Sequence, residues 1–417
     1  MVDDALTKGT PLVSGHAPAT DAAGYGLDGL NLFVANIQTG FGPFIAVFLT
    51  TQGWTQTAIG VALSLGTITS MASQIPAGVL VDAITAKSRV ALASILAFAA
   101  SALLFAMSPT PLWVYLAEIL HGFSSCTLGP VIAALSLAIA GTGLLGQRLG
   151  RNARFASIGN ALGAALMGAC GYYISARAVF FLTAILTLPA IGALVPLRRF
   201  DRAIALAEAG PEPDSMPREP VRRVLADTRL LIFGASAMLF TFANSALLPL
   251  ASVGITKHAT GEASLLIAAC IILPQIVVAS ISPSVGRMAE RRGRRLILLT
   301  GFLALTARAL LFGVTMEPIL LVAIQALDGI AGACFGVMVP LVISDIAGRS
   351  GHFNLCLGLI GFAIGIGATL STTLAGLIAD RFGDGFAFTG FGLIGLLATI
   401  FVWAAMPETR PVLEKPR

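Results

Sequence analysis

Charge is scarce in this sequence. Only 11% of its 417 residues are Asp, Glu, Lys or Arg, against roughly 25% in a soluble domain. A water-facing surface cannot be built from half that supply, so lipid must cover most of the chain. Histidine, at four residues, and cysteine, at five, are equally sparse. Cys126, Cys170, Cys270, Cys334 and Cys356 sit in apolar runs with no metal-ligand or secreted-domain spacing. That excludes a zinc module and a disulfide scaffold and makes them small buried hydrophobes. No Gly-x-x-x-x-Gly-Lys loop exists to cradle a nucleotide phosphate, so ATP drive would need another chain. No catalytic set, metal site or cofactor is expected.

What is present is apolar residue, at 56% of the chain, with a mean hydropathy of +0.88. The 45 glycines fit helices that approach one another closely in lipid. Apolar stretches of the ~20 residues needed to cross ~30 Å of hydrocarbon recur along the whole chain. They predict an all-α membrane protein of twelve spans: 29–49, 58–80, 90–107, 112–137, 153–174, 178–197, 230–252, 263–285, 296–315, 318–343, 355–379 and 385–406. The organisation expected is an N-terminal tail (1–28), a six-helix bundle (29–197), a linker (198–229), a second bundle (230–406) and a C-terminal tail (407–417). The linker carries Pro211, Pro213, Pro217 and Pro220 among mixed charges. The first residues lack the basic start and short apolar core of a cleaved signal peptide.

Lysine and arginine set the orientation. With the N-terminus inside, Lys8, Lys87, Arg89, Arg148, Arg151, Arg154, the linker arginines, Arg287 to Arg295, Arg349, Arg410, Lys415 and Arg417 are cytosolic, and the far side receives Arg177, Lys257 and Arg381. The net charge of +5 is therefore a product of topology rather than a nucleic-acid footprint. Both termini are expected in the cytosol of a bacterial inner membrane, in a monomer.

The halves repeat. Leu-Ala-Ile-Ala-Gly (137–141) matches Ser-Asp-Ile-Ala-Gly (344–348) at a shift of 207, which also pairs Gly122 with Gly329 and Gly129 with Gly336. Gly150 to Phe155 matches Gly348 to Phe353 at a shift of 198, and the difference of nine is one insertion, Thr142 to Gly150, placed in a cytosolic loop. Pro43 meets Pro249 and Gln38 meets Asn244 at a shift of 206. Fused parallel repeats place a solute site at their interface near the bilayer midplane.

After the eighth span comes Gly286-Arg-Met-Ala-Glu290-Arg291-Arg292-Gly293-Arg294-Arg295, and after the second comes Gly78-Val-Leu-Val-Asp82-Ala-Ile-Thr-Ala-Lys87. This pair resembles the loop signature of the major facilitator superfamily, although Thr85 and Ala86 stand where that family has glycine and arginine. Met406-Pro407-Glu408-Thr409 is similar to the family's terminal motif. The resemblance covers the whole chain. It implies a rocker-switch transporter whose spans 1, 4, 7 and 10 line a central cavity. Glu118 stands where drug-efflux members carry an arginine four residues before Gly122, and Gly159-Asn-Ala-Leu-Gly163 lacks their proline. Both departures count against ordinary drug/proton antiport. Gly78, Asp82, Lys87, Gly286, Glu290, Arg291 and Arg294 form the expected conformational latch, each acid pairing with arginines or a helix terminus across the seam between halves. A solvated loop that only enforces topology is the alternative.

Ionisable groups inside spans are costly and mark function. There are four: Glu118, His121, Arg308 and Asp328. Glu118 and His121 share a helix face with Ser125 beyond them, and the repeat sends them to Gln325 and Asp328. Four polar groups converging from spans 4 and 10 would suit a solute site with proton coupling, since a desolvated carboxylate or a histidine can titrate near neutral pH. The alternative makes Asp328 a structural counter-ion for Arg308. Asn36, Gln38 and Asn244, with Ser125, are candidate substrate contacts, and helix packing is their alternative use. These features point to a secondary transporter of a small solute, with protons and the bilayer as its other partners and no enzyme activity. A proton-independent facilitator or exchanger of an organic or metal-chelate solute is the alternative. An intramembrane enzyme would need His121 to meet Ser124 or Ser125, which neighbouring positions on one helix do not allow.

Overall fold

The computed structural model describes residues 21–39, 41, 43–54, 56–208, 220–251, 263–315, 317–347, 350 and 352–410. In hydrocarbon every backbone polar group must be satisfied within its own segment, and the only regular elements among these residues are helices. They are α1 (Asp21–Thr39), α2 (Pro43–Thr51), α3 (Gln56–Ala83), α4 (Lys87–Met107), α5 (Pro111–Tyr173), α6 (Ala178–Glu208), α7 (Val221–Leu225), α8 (Thr228–Asn244), α9 (Ala263–Arg292), α10 (Arg294–Val314), α11 (Pro318–Ile324), α12 (Ala326–Ala347), α13 (Phe353–Phe382) and α14 (Asp384–Ala405). Nine membrane-length apolar helices are found among the described residues. Their outer faces are apolar: Leu112, Leu188, Ile319, Leu397 and Trp403 are each more than half exposed. A soluble monomer does not present such a surface.

The 63 residues of α5 would measure about 95 Å if straight, three times the hydrocarbon thickness. They are not straight. Gly141 adopts φ 63° and ψ 178°, a conformation that a side chain would strain. Beyond it, Asn152 Nδ2 donates to Ser136 Oγ at 2.6 Å. Sixteen residues of continuous helix would hold those groups about 24 Å apart, so the chain turns back at Gly141. The nine-residue insertion expected as a loop is therefore helix: it opens the second limb of this hairpin and carries Gly146 and Gly150 onto α9.

Two other boundaries differ from expectation. The first helix begins at Asp21, inside the segment expected to be tail, because Asp28 is buried there on Arg148 and Arg151 and its charge is matched. The linker is partly helical, since α6 continues to Glu208 and α7 precedes α8; Pro211, Pro213 and Pro217 lie outside the described residues. The first and seventh spans are interrupted at related places. α1 ends at Thr39 before Pro43, and α8 ends at Asn244 before Pro249. Each proline stands in the first turn of the helical segment that follows its break, where a missing backbone N–H is tolerated.

Buried apolar side chains gather in two cores. One draws on residues between Ala23 and Phe200; the other runs from Val224 to Met406 and takes in Ala133, Leu145 and Leu149. Two seams join them, α9 against α5 and α3 against α13. Glycine permits both. A methyl group on Gly286 would collide with the Gly146 carbonyl, one on Gly150 with that of Ser282, and one on Gly78 with that of Asn354.

Candidate functional site

A cavity of about 500 Å³ lies among α2, α3, α5 and α13. Its walls are largely apolar, with Ile45, Leu63, Met71 and Ile364, and its polar groups come from Ser70, Gln74, Glu118, His121, Ser125 and Thr369 among others. Thus the fourth span contributes as expected, but the second and eleventh supply most of the wall, and among the described residues none from the seventh or tenth lines it.

Glu118 is the unusual group. Its side chain is 2% exposed, and its Oε1 has no hydrogen-bond partner. Oε2 fills the notch left by the missing side chain of Gly66, where a methyl group would strike it. His121 Nδ1 stands 3.6 Å from Oε2, too far for a hydrogen bond, and is also without a partner. The imidazole is held by stacking: it lies parallel to Phe41 at 4.3 Å, with Phe98 edge-on at 5.5 Å. A buried carboxylate oxygen without a partner is costly, and a donor or cation entering from the cavity relieves it.

The repeat-related groups do not join this cavity. Arg308, 1% exposed, donates from Nη1 to Asp328 Oδ1 at 2.5 Å and to Asn244 Oδ1 at 2.7 Å. This interaction draws Asp328 and Asn244 together within the second core. Gln325, fully buried at the break between α11 and α12, has neither amide atom hydrogen-bonded to nitrogen or oxygen. The convergence of Glu118, His121, Gln325 and Asp328 expected from the repeat is therefore absent from this cavity: Arg308 holds Asp328 in the second core, and Gln325 is buried at the α11–α12 break. Asn36 is 3% exposed, with Oδ1 unpartnered, and its backbone carbonyl lies against Gly163. Gln38 is half-buried just before the α1 break, and its carbonyl accepts from the Phe41 N–H. Ser125 lines the cavity, whereas Ser124 is turned back onto the Leu120 carbonyl.

At the seams, Asp82 accepts from Asn354 N at 3.1 Å, Asn354 Nδ2 at 2.7 Å and Leu355 N at 2.8 Å, capping the N-terminus of α13 from the other core. Glu290 does the reciprocal thing, accepting from Gln147 N at 3.0 Å and Gln147 Nε2 at 2.8 Å on the second limb of α5. The basic members of the loops do otherwise. Lys87 caps the end of α3, donating to Ile84 O at 2.6 Å and to Val81 O. Arg294 binds Asp345 at 2.8 Å within its own core. Arg291 is exposed, and its carbonyl accepts from Arg410. Among the described residues, the partners of Arg294 and Arg291 lie on their own side of the seam.

Sequence reasoning missed two features. Asp28 carries Arg148 and Arg151 together, with Arg151 Nη2 at 2.5 Å, tying α1 to the α5 hairpin. The signal was an acid immediately before the first apolar run, at position 28 against a span expected from 29. The terminal motif also has a structural task. Glu408 Oε1 accepts from Arg294 N at 2.8 Å, while Asp201 Oδ2 accepts from Ser88 N at 2.7 Å. Asp201 and Glu408 lie 207 apart, as do Ser88 and Arg295, whose N–H also donates to Glu408 Oε2 at 3.2 Å, so each half caps its third helix with an acid from beyond the end of its sixth span.

Comparison with known proteins agrees with this architecture. The family model described as Major Facilitator Superfamily matches residues 27–282 and 230–417. A Mycobacterium tuberculosis protein described as an uncharacterized MFS-type transporter is 35% identical over 391 residues, covering 92% of this chain and 93% of that one, in both the CDC 1551 and H37Rv strains. A multidrug resistance protein of Schizosaccharomyces pombe is 33% identical over 122 residues, 29% of this chain and 22% of its own. A multidrug transporter protein of Bacillus subtilis is 26% identical over 125 residues, 30% of this chain and 23% of its own. With both halves matched by the family model and the reciprocal acid contacts at the two seams, this chain belongs to the Major Facilitator Superfamily.

Proposed function

We propose that this protein is a proton-coupled secondary transporter that exchanges protons for a small cationic solute with an apolar body, and that it couples the two through Glu118 instead of the arginine and proline of ordinary drug/proton antiporters, which this chain lacks. Its fold in this reading is twelve spans in two six-helix bundles, the first, seventh and tenth interrupted, with the α5 hairpin supplying spans 4 and 5. The lysine and arginine distribution supports a bacterial inner-membrane placement with both termini cytosolic.

The observation that carries the proposal is the Glu118 carboxylate, buried with one oxygen unpartnered in the wall of a largely apolar cavity. A proton and a cationic solute relieve the same desolvated charge, so each displaces the other, and their competition couples the two fluxes. His121, stacked on Phe41, offers the proton a neighbouring stop. The apolar walls suit a lipophilic body, and the partial matches to proteins named for multidrug transport favour the same class.

Movement follows from the seams. Closure at the Asp82 and Glu290 end is held by five hydrogen bonds that the two acids accept and by glycine contacts beneath them. Rocking the bundles breaks these bonds together and exposes the cavity to the opposite side. Asp82, Glu290, Gly78 and Gly286 are the latch in this reading. Arg308 and Asp328 act as a structural pair.

The test uses proteoliposomes with an imposed pH gradient, tetraphenylphosphonium as the probe cation and an entrapped pH dye. The expected result is gradient-driven accumulation with proton movement in the opposite sense, both lost in Glu118→Gln. Unchanged accumulation in that variant would remove Glu118 from the coupling role. Cation exchange that never moves a proton, even in the wild type, would leave a facilitator.

A further inference from the structure

A second cavity, of about 600 Å³, lies on the seam between α5 and α9 and has a different character. Four arginines line it: Arg148, Arg151, Arg154 and Arg287. The first three recur every third residue on the second limb of α5 and so share a stripe of that helix. The fourth comes from α9, on the other side of the seam. Arg148 and Arg151 share the single carboxylate of Asp28. Arg154 has no hydrogen bond or ion pair among the described residues, and the one bond made by the Arg287 side chain is to Ser284 Oγ at 3.0 Å. Glu290 is near, but Gln147 occupies its carboxylate. Even with Glu290 counted, four positive charges face two negative ones, leaving an excess of two in a concave site. Such clefts focus potential and collect counter-ions. Topology alone explains arginines at this face of the membrane. It does not explain their convergence from both sides of one cavity.

Arg151 is set in place by its bidentate contact with Asp28 and by Tyr25 and Phe155, whose ring centroids lie 5.7 and 5.8 Å from its guanidinium. Forked guanidiniums match phosphate oxygens better than any other side chain does. Beside them Phe155 and Leu144, the latter more than half exposed, form an apolar wall.

We propose that this cavity binds a phosphate group, held between Arg151 and Arg154 on one side of the seam and Arg287 on the other. The source is the headgroup of an anionic phospholipid, whose chains would follow the apolar wall, or free inorganic phosphate. Either way the ligand spans the seam that Glu290 closes. The site exists only while α5 and α9 are together, so its occupant favours the closed seam by its differential affinity for that state. This is a regulatory anion site, separate from the Glu118 cavity and independent of what that cavity carries.

The experiment measures the full chain in nanodiscs of phosphatidylcholine alone, in the same discs with inorganic phosphate against chloride at equal ionic strength, and in discs containing phosphatidylglycerol. The readouts are the unfolding midpoint and hydrogen exchange of segments 142–150 and 282–290. Arg154→Gln with Arg287→Gln is the test variant, since neither side chain holds a carboxylate. Arg222→Gln with Arg223→Gln, exposed on α7, removes equal charge elsewhere. The expected result is a midpoint rise of about 4 °C with added protection of both segments, in the wild type and the α7 variant but not in the test variant. A response to phosphatidylglycerol alone identifies a lipid headgroup; a response to phosphate identifies the free ion. No response in the wild type, an equal response in the test variant, an equal loss in the α7 variant, or stabilisation without protection of the two segments overturns the proposal.

Discussion

Asp328→Asn tests whether the second-core ion pair is structural. The Arg308 guanidinium is 1% exposed and has two hydrogen-bond acceptors, Asp328 at 2.5 Å and Asn244 at 2.7 Å. Breaking a buried ion pair from one side costs 3–5 kcal/mol, because the remaining charge stays buried without compensation. Two features reduce that here. The Asp328 side chain is 26% exposed, and the new amide oxygen can still accept one hydrogen bond. A loss of about 3 kcal/mol follows, roughly two orders of magnitude in the folded ratio. Folded yield and the unfolding midpoint in detergent read it directly. Adding Arg308→Gln removes the stranded cation, so the double variant should recover the midpoint and gradient-driven transport together. If Asp328→Asn instead folds like the wild type and abolishes gradient-driven transport, and the double variant does not restore it, the structural assignment is wrong and Asp328 is a coupling group.

Gly66→Ala should keep the fold, since alanine favours helix by roughly 1 kcal/mol, yet displace the Glu118 carboxylate that occupies the notch. Gradient-driven cation accumulation should fall steeply with protein level unchanged, and normal accumulation would show that the position of Glu118 does not matter. Asp82→Asn and Glu290→Gln should each lower the transport rate while leaving solute affinity within a few-fold, because their bonds lie at the seams rather than in the cavity. A collapse of affinity with turnover intact would move them to the binding site. Reporter fusions at Arg417 and near Pro213 should both read cytosolic, and an external signal from either would revise the number of spans.

The apolar runs, the arginine asymmetry and the two-fold repeat are local or periodic properties of the chain, and so they were legible without coordinates. Lipid solvation forces any such run into helix, whatever its neighbours, and Gly78, Asp82, Gly286 and Glu290 announced themselves by recurring at one shift. The repeat also had limits. It placed Glu118 beside Gln325 and His121 beside Asp328 as equivalents, but equivalence by sequence is not proximity in space. A single guanidinium, Arg308, draws one member of that set into the second core, while a missing side chain at Gly66 makes room for the other in the cavity. Likewise nothing in the order of residues says that Asp28 will meet Arg148 and Arg151 more than a hundred positions later. Those pairings depend on which helix faces lie together, and that is decided by the packing of the two cores across glycine-lined seams, where an added methyl group would strike the facing carbonyl.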